Sequence, residues 1–155
     1  MISIRPFTQL DLLALATLHL RKSDQEEIKA ALGKTPNIAL VDSACKADEV
    51  HLILEDNEVI GVFGVAVSPS RAYASPWFVC SDRAYQHKLK LLRFSKAQVA
   101  DWINEYGVLL NYVDSRHLAS IEWLEWLGFT IEYNTKVKLH DPEVLFHPFY
   151  MEKKE

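Results

Sequence analysis

Apolar and polar side chains alternate from the start of the chain, with Ile2 and Ile4 on one side, until Pro6 interrupts them. A short opening strand is expected there. The period then changes. Thr8 has N-cap chemistry, Asp11 follows as a short capping-box acid, and Phe7 faces Leu12 as a hydrophobic staple, which predicts a helix to about Leu20. Ser23 with Glu26 repeats the signal for a second helix through Ile28 and Leu32, closed by Gly33. Thr35-Pro36 opens a third, with Ile38, Val41 and Cys45 on one side. From 49 to 67 two β-rich runs meet at Asp56-Asn57, the pattern of an antiparallel hairpin whose Glu55 and Glu58 flank the turn in solvent. Trp77 to Cys80, apolar on both faces, predicts a central strand, with Pro69 and Pro76 fencing the connection before it.

The longest helix is expected from Asp82 to Tyr106. Tyr85, Leu89, Leu92, Val99, Ile103 and Tyr106 mark its stripe, and Gly107 ends it. "VLLNYVD" reads as a buried fifth strand. Ile121, Leu124 and Leu127, widened by Trp123 and Trp126, then form a helix that Gly128 delivers into the strand "FTIEY". In the tail, about 141–155, "VLFHPFYM" predicts an edge strand, because Pro148 cannot donate, followed by a flexible end. The order predicts one α/β (α+β) domain over 1–155. Its core is a twisted, mixed, mostly antiparallel sheet of six to seven strands with helices on both faces.

Composition narrows the classes. Half the residues are hydrophobic (49 %) and only five are glycine, so disorder, collagen and a disulfide-rich scaffold are excluded. The net charge of −4 discourages non-specific binding to a phosphate backbone, and no RNP-like or OB pattern surrounds the four tryptophans. Cys45 and Cys80 are too few for a disulfide framework and read as reduced thiols in a cytosolic setting. No apolar run is long enough for a membrane span and no signal-peptide pattern opens the chain. The six histidines form no HExxH or close cluster, so no metal site is expected.

Two places carry candidate chemistry. Arg83, Lys88, Lys90, Arg93 and Lys96 crowd the first half of the long helix, with Asp101 the only acid from 83 through 104. Such a cluster suits a solvated face, a phosphorylated cofactor, or a nucleic-acid or protein partner. Asp114-Ser115-Arg116-His117 follows the fifth strand, where sheets open onto crevices. His117 is a candidate general base and Ser115 a candidate to bond a substrate, while Ser115 or Asp114 serves equally as a helix cap.

The order of elements together with "HLASIEWLEWLGFTI" resembles the GNAT N-acetyltransferases, in which a helix after the fifth strand carries Asn-x-x-Ala-Ile-x-Leu-Tyr-Glu-x-Leu-Gly-Phe. Aligned on Gly128-Phe129, the chain keeps Leu127, Glu125 and Ile121, has Ser120 at the alanine and His117 at the asparagine, and replaces the tyrosine with Leu124. The resemblance implies binding of acetyl-CoA by backbone donors near Val79 to Ser81 and by Arg83 of the pyrophosphate turn. In that turn Gln86 and Lys88 stand at the small-residue positions, so Lys88 and Arg93 are expected to supply charge instead. It also implies acyl transfer to an amine, with His117 and Ser115 as catalytic candidates. Residues 75 to 133, with "WFVCSD", "NYV" and "WLEWLGF", are similar to small proteins of short-tailed, T7-like bacteriophages. That similarity implies an acetyltransferase or an internal virion, assembly or host-binding protein in the bacterial cytoplasm or the virion, with a host or virion protein as partner, a homodimer allowed and no membrane insertion.

Overall fold

Asp56 and Asn57 both take left-handed backbone, φ 49° and 70°, as a two-residue type I′ turn requires. In the computed structural model, which describes all 155 residues, this turn joins strands β2 (Glu49–Glu55) and β3 (Glu58–Val67). β1 (Ile2–Pro6) lies outside β2, and β4 (Ala74–Cys80) lies beyond β3, all antiparallel. β5 (Val108–Asp114) runs parallel to β4. The two-residue strands β6 (Thr130–Ile131) and β7 (Val137–Lys138) both pair with β8 (Leu145–Glu152), which is antiparallel to β5. The sheet is thus mixed, mostly antiparallel and covered by helices. It has eight strands rather than six or seven, because the stretch after Phe129 yields two very short ones.

The tail corrects the expectation of an edge strand. β8 lies inside the sheet, between β5 and β6. Pro148 accepts the Glu132 N–H on its carbonyl at 2.9 Å, so the donor it lacks would point to that same side. There β6 ends at Ile131. The proline terminates the short neighbour instead of terminating the sheet.

Three helices cover one face: α1 (Leu12–Ala16), α2 (Lys22–Leu32) and α3 (Pro36–Lys46). Leu15, Leu18 and Leu40 pack there on Leu52 and Val62, and Ala30 of α2 packs on Phe146. The first helix is shorter than its pattern predicts. Asn37 Nδ2 reaches across from α3 to the carbonyls of Leu15 (2.9 Å) and Leu18 (2.8 Å), satisfying the helix end at Ala16. Gly33, at φ 68°, closes α2 as expected. The opposite face carries α4 (Asp82–Tyr85), α5 (Lys88–Tyr106) and α6 (Leu118–Leu127), with Leu91, Val99 and Ile121 packed on Phe63, Leu109 and Val113. The expected single helix from Asp82 is broken at Gln86-His87. There the bonds tighten to Gln86 N–H on Arg83 O and His87 N–H on Ala84 O, and the His87 ring turns to Glu55 at the end of β2. No helix is long and apolar enough to cross a membrane.

At the start of α1, Asp11 does more than its capping position implies. Its Oδ2 accepts the Thr8 N–H at 2.8 Å, and Arg5 donates to both of its oxygens at 2.8 and 2.9 Å. The bonds from Arg5 hold the Asp11 carboxyl down at about 2, below its ordinary 3.8. A depressed carboxylate stabilises the fold above the unfolded value and loses that contribution as pH falls through the folded one. Asp11→Asn is therefore expected to lower stability by about 1–2 kcal/mol at pH 7, allowing for the half-exposed Arg5. Urea titrations of both proteins at pH 7 and pH 2.5 should show that gap shrinking at the lower pH.

Candidate functional site

β4 and β5 are hydrogen-bonded neighbours at one position, Ala74 with Leu109, and diverge toward Cys80 and Asp114. Residues two apart in a strand turn their peptide groups to the same side. Ser81 donates to Ile60 O (2.9 Å) and Ser68 to Tyr73 O (2.9 Å), which fixes the phase of the β3–β4 ladder. Ser75, Trp77 and Val79 therefore bond to β3, while Pro76, Phe78 and Cys80 turn theirs into the gap. Each of the three meets a different fate. Pro76 has no N–H, and its carbonyl accepts Asn111 Nδ2 from β5 at 2.8 Å. Cys80 gives its N–H to Asp24 Oδ2 and receives the Arg21 N–H on its carbonyl, both at 2.9 Å. Phe78 alone keeps both groups free for a ligand.

Helix α2 spans the open end of this gap. Arg21, Asp24, Glu27, Ile28 and Ala31 recur at helical spacing and line the cavity between the strands. Asp24 binds the end of β4 and pairs with Arg21 (3.1 Å), while Glu27 Oε2 meets His117 Nδ1, beyond β5, at 3.2 Å. One turn of helix thus ties the two diverging strands together.

Around His117 the charges are dense. Its Nε2 lies 3.8 Å from Asp114 Oδ2 and 3.9 Å from Glu26 Oε2, and is buried without a hydrogen bond. The bond to Glu27, reinforced by Asp114, raises the imidazole above its ordinary value despite burial. Burial raises the Glu27 carboxyl in turn, outweighing the pull of His117. Asp114 is completely buried. Burial raises it too, but side-chain bonds of 2.7 to 3.2 Å from Arg116 and the Arg116 N–H more than compensate and hold it below the carboxylate range. The surrounding carboxylates thus favour the protonated form of His117, and the carboxylate that faces the cavity as a proton acceptor is Glu27. Glu27 Oε1 has no partner.

The cavity measures about 410 Å³ and is mostly apolar, with Trp77 and Tyr112 toward α1–α3 and Phe78, Trp123 and Leu124 toward α5 and α6. Leu124 faces it without a hydroxyl, so the phenols of the lining are Tyr85 and Tyr112. Burial pushes the Cys80 thiol up to about 12, which removes it as a nucleophile. No group of three or more His, Cys, Asp or Glu is placed to hold a metal ion.

The residues expected to bind a cofactor fall into two sets. Val79 gives its N–H to the β3 ladder. Ser81 caps α4, its hydroxyl accepting from Ala84 N (3.4 Å) and donating to Ile60 O (3.0 Å). Arg83 is held by Glu55 and Glu58 of the hairpin, so those acids are paired rather than merely solvated. Lys88 and Arg93 form no ion pair. Lys88 Nζ sits 5.5 Å over the Tyr85 ring, and a shallow hollow from Tyr85 to Lys90 lies at the start of α5, where first-turn N–H groups await acceptors. Gln86 has φ −65°, so the turn is helical and needs no glycine for its conformation. Ser115 gives its N–H to Leu145 O (3.0 Å), and neither it nor His117 lines the cavity. Val79, Ser81 and Arg83 thus have polar groups engaged within the fold, and Phe78, Asn111, Asp24 and Glu27 stand around the gap. A signal for the last two was available, because Asp24, Glu27, Ile28 and Ala31 place acids within an apolar helical stripe.

Solved structures share this architecture along nearly the whole chain. The protein smu.2055 from Streptococcus mutans superposes with TM-score 0.71 at 14 % identity, covering 97 % of this chain and 98 % of its own. A spermidine N-acetyltransferase SpeG chimera from Vibrio cholerae and hSSAT gives 0.69 at 12 %, covering 97 % and 95 %. A GNAT-family acetyltransferase from Bacillus anthracis gives 0.71 at 14 %, covering 99 % and 96 %. Neither a protein-family model nor a curated protein matches the sequence. With its splayed parallel pair β4–β5 in the middle of a mixed sheet, the chain has the GNAT acetyltransferase fold.

Proposed function

We propose that the protein transfers an acetyl group from acetyl-CoA to an amine. The observation that carries this reading is the Phe78 peptide, left unpaired on the gap side of β4 between Pro76 and Cys80, whose groups there are engaged, with the Glu27 carboxylate on the same cavity. Acetyl-CoA would supply an activated acetyl thioester. Lys88, Lys90 and the first turn of α5 hold its phosphates, Lys88 and Arg93 contributing the charge that the Arg83 ion pairs withhold. The Phe78 N–H holds the thioester oxygen as negative charge develops there. Glu27 accepts the amine proton while the new N–C bond forms and the C–S bond breaks. The departing thiolate takes its proton from water, since Leu124 offers none. His117 and Ser115 do not touch the reacting atoms: His117 orients Glu27 through Nδ1.

Calorimetric titration with acetyl-CoA tests this. One equivalent should bind, and Lys88→Ala combined with Arg93→Ala should weaken binding about tenfold or more, as loss of charge-assisted contacts to phosphate implies. No binding by the unmodified protein would overturn the proposal. The second reading is a phage protein that binds a host or virion partner, or its own copy, in the bacterial cytoplasm or the particle. It is favoured by Asn111 bridging β5 to the Pro76 carbonyl and by Asp24 occupying the Cys80 N–H, contacts that partly fill the slot.

A further inference from the structure

We propose that the acceptor is a hydrophobic primary amine, its nitrogen at Glu27 and its hydrocarbon body between Trp77, Tyr112 and Ile28. This rests on the acetyl-transfer reading, and three observations carry it.

The first is direction. The unpaired cations and free N–H groups at the start of α5 lie on the α5–α6 face, so an anionic acyl carrier reaches the gap from that side. The acceptor is left the face under α1, α2 and α3. The second is the chemistry of that face. Trp77 is held flat by Gly64, where a Cβ would come within 2.7 Å of the indole and 2.8 Å of the Glu49 carbonyl. The walls beside it are Ile28, Leu40 and the Tyr112 ring. A long polar or multiply charged acceptor would leave its second charge unpaired against these walls.

The third is charge. The Arg21 guanidinium is committed to Asp24, Arg116 to Asp114, and His117 to Glu27. Arg21 is the only lysine or arginine that lines the cavity, so no free cation stands there to receive a carboxylate. Glu26 pairs with Lys22 at 4.0 Å, and Glu27 and Asp114 face Arg116 and His117, so these basic groups already have acid partners. Glu27 Oε1, without a hydrogen-bond partner, is the place for one ammonium group and no more. An amine of the kind drawn here carries one positive charge, an apolar body and no acid.

Phenethylamine and phenylalanine differ by a single carboxylate, and spermidine carries several ammonium groups with no aromatic body. Calorimetry on the cofactor-free protein should show phenethylamine binding at least about tenfold more tightly than phenylalanine or spermidine. With acetyl-CoA present, thiol release should follow the same order. Glu27→Gln should lose about tenfold or more in phenethylamine affinity while binding acetyl-CoA as before. Trp77→Leu should weaken phenethylamine similarly without disturbing the carboxylate cluster. Equal or better binding of phenylalanine or spermidine, or unchanged phenethylamine affinity in both variants, overturns the inference even if acetyl-CoA binds. Failure of acetyl-CoA to bind would instead overturn the transfer reading, and the amine titration would still report on this pocket.

Discussion

Asp24→Ala should destabilise the fold by about 3–5 kcal/mol, the scale for breaking one partner out of a buried ion pair. That is a large share of the stability of a domain this size, about 5–15 kcal/mol. Asp24 is only 6 % exposed and makes three attachments, to the Arg21 guanidinium through both oxygens and to the Cys80 N–H. Alanine leaves a half-buried cation and a buried peptide donor with nothing to accept from them, and it releases α2 from the end of β4. Asp24→Asn should recover part of the loss, since its amide oxygen still receives the Cys80 N–H. Replacing Arg21 and Asp24 together by apolar residues should be milder than Asp24→Ala alone. Urea-induced unfolding of the three variants measures this order. A double replacement as damaging as Asp24→Ala would mean that the Cys80 donor, not the cation, sets the cost.

Glu27→Gln should reduce kcat by about 10²- to 10⁴-fold, the range general-base removal covers. His117→Gln, which leaves the carboxylate in place, should cost less and move the acidic limb of the pH profile upward, because Glu27 then loses the hydrogen bond and the positive charge that hold its buried carboxyl down. A rate unchanged by Glu27→Gln would remove that residue from the mechanism. The same pair makes stability depend on pH with a definite sign. Glu27 and His117 are both raised on folding, so the folded chain holds protons that the unfolded chain has already released. Stability therefore falls as pH rises. For His117 the contribution is complete below the unfolded value of 6.5 and fades as pH passes the higher folded one. The destabilisation caused by His117→Gln should be largest at pH 6 and shrink toward pH 9, which parallel unfolding titrations would check.

Local chemistry made much of this fold legible. Asp56-Asn57 set the hairpin, Thr35-Pro36 opened α3, and Gly33, Gly107 and Gly128 closed three helices, each at positive φ. These features are decided within a few residues. Where the reading missed, a distant partner intervened: Asn37 capped α1 from another helix, and Glu55 pulled His87 out of the long helix. Pro148 illustrates the limit best. A proline forbids one hydrogen bond on one side, and whether that makes an edge depends on which neighbour lies there. The site follows the same rule. His117 was visible as a residue after a strand, but its charge state comes from Glu27, ninety positions away in sequence. Phe78 was hidden for a plainer reason, since a free peptide group has no side-chain signature and emerges only once the parity of β4 is known.

Pro76 bears on how the empty protein behaves. A polypeptide gap lined by ordinary amides tends to zip shut, each donor finding a carbonyl across the way. With no amide hydrogen at this step, and its carbonyl already satisfied by Asn111, β4 has little to gain from sliding against β5. The slot is written into the covalent chain rather than held ajar by its occupant. A guest then finds the strands already apart, and the free energy of its contacts is not diverted into prising a ladder open.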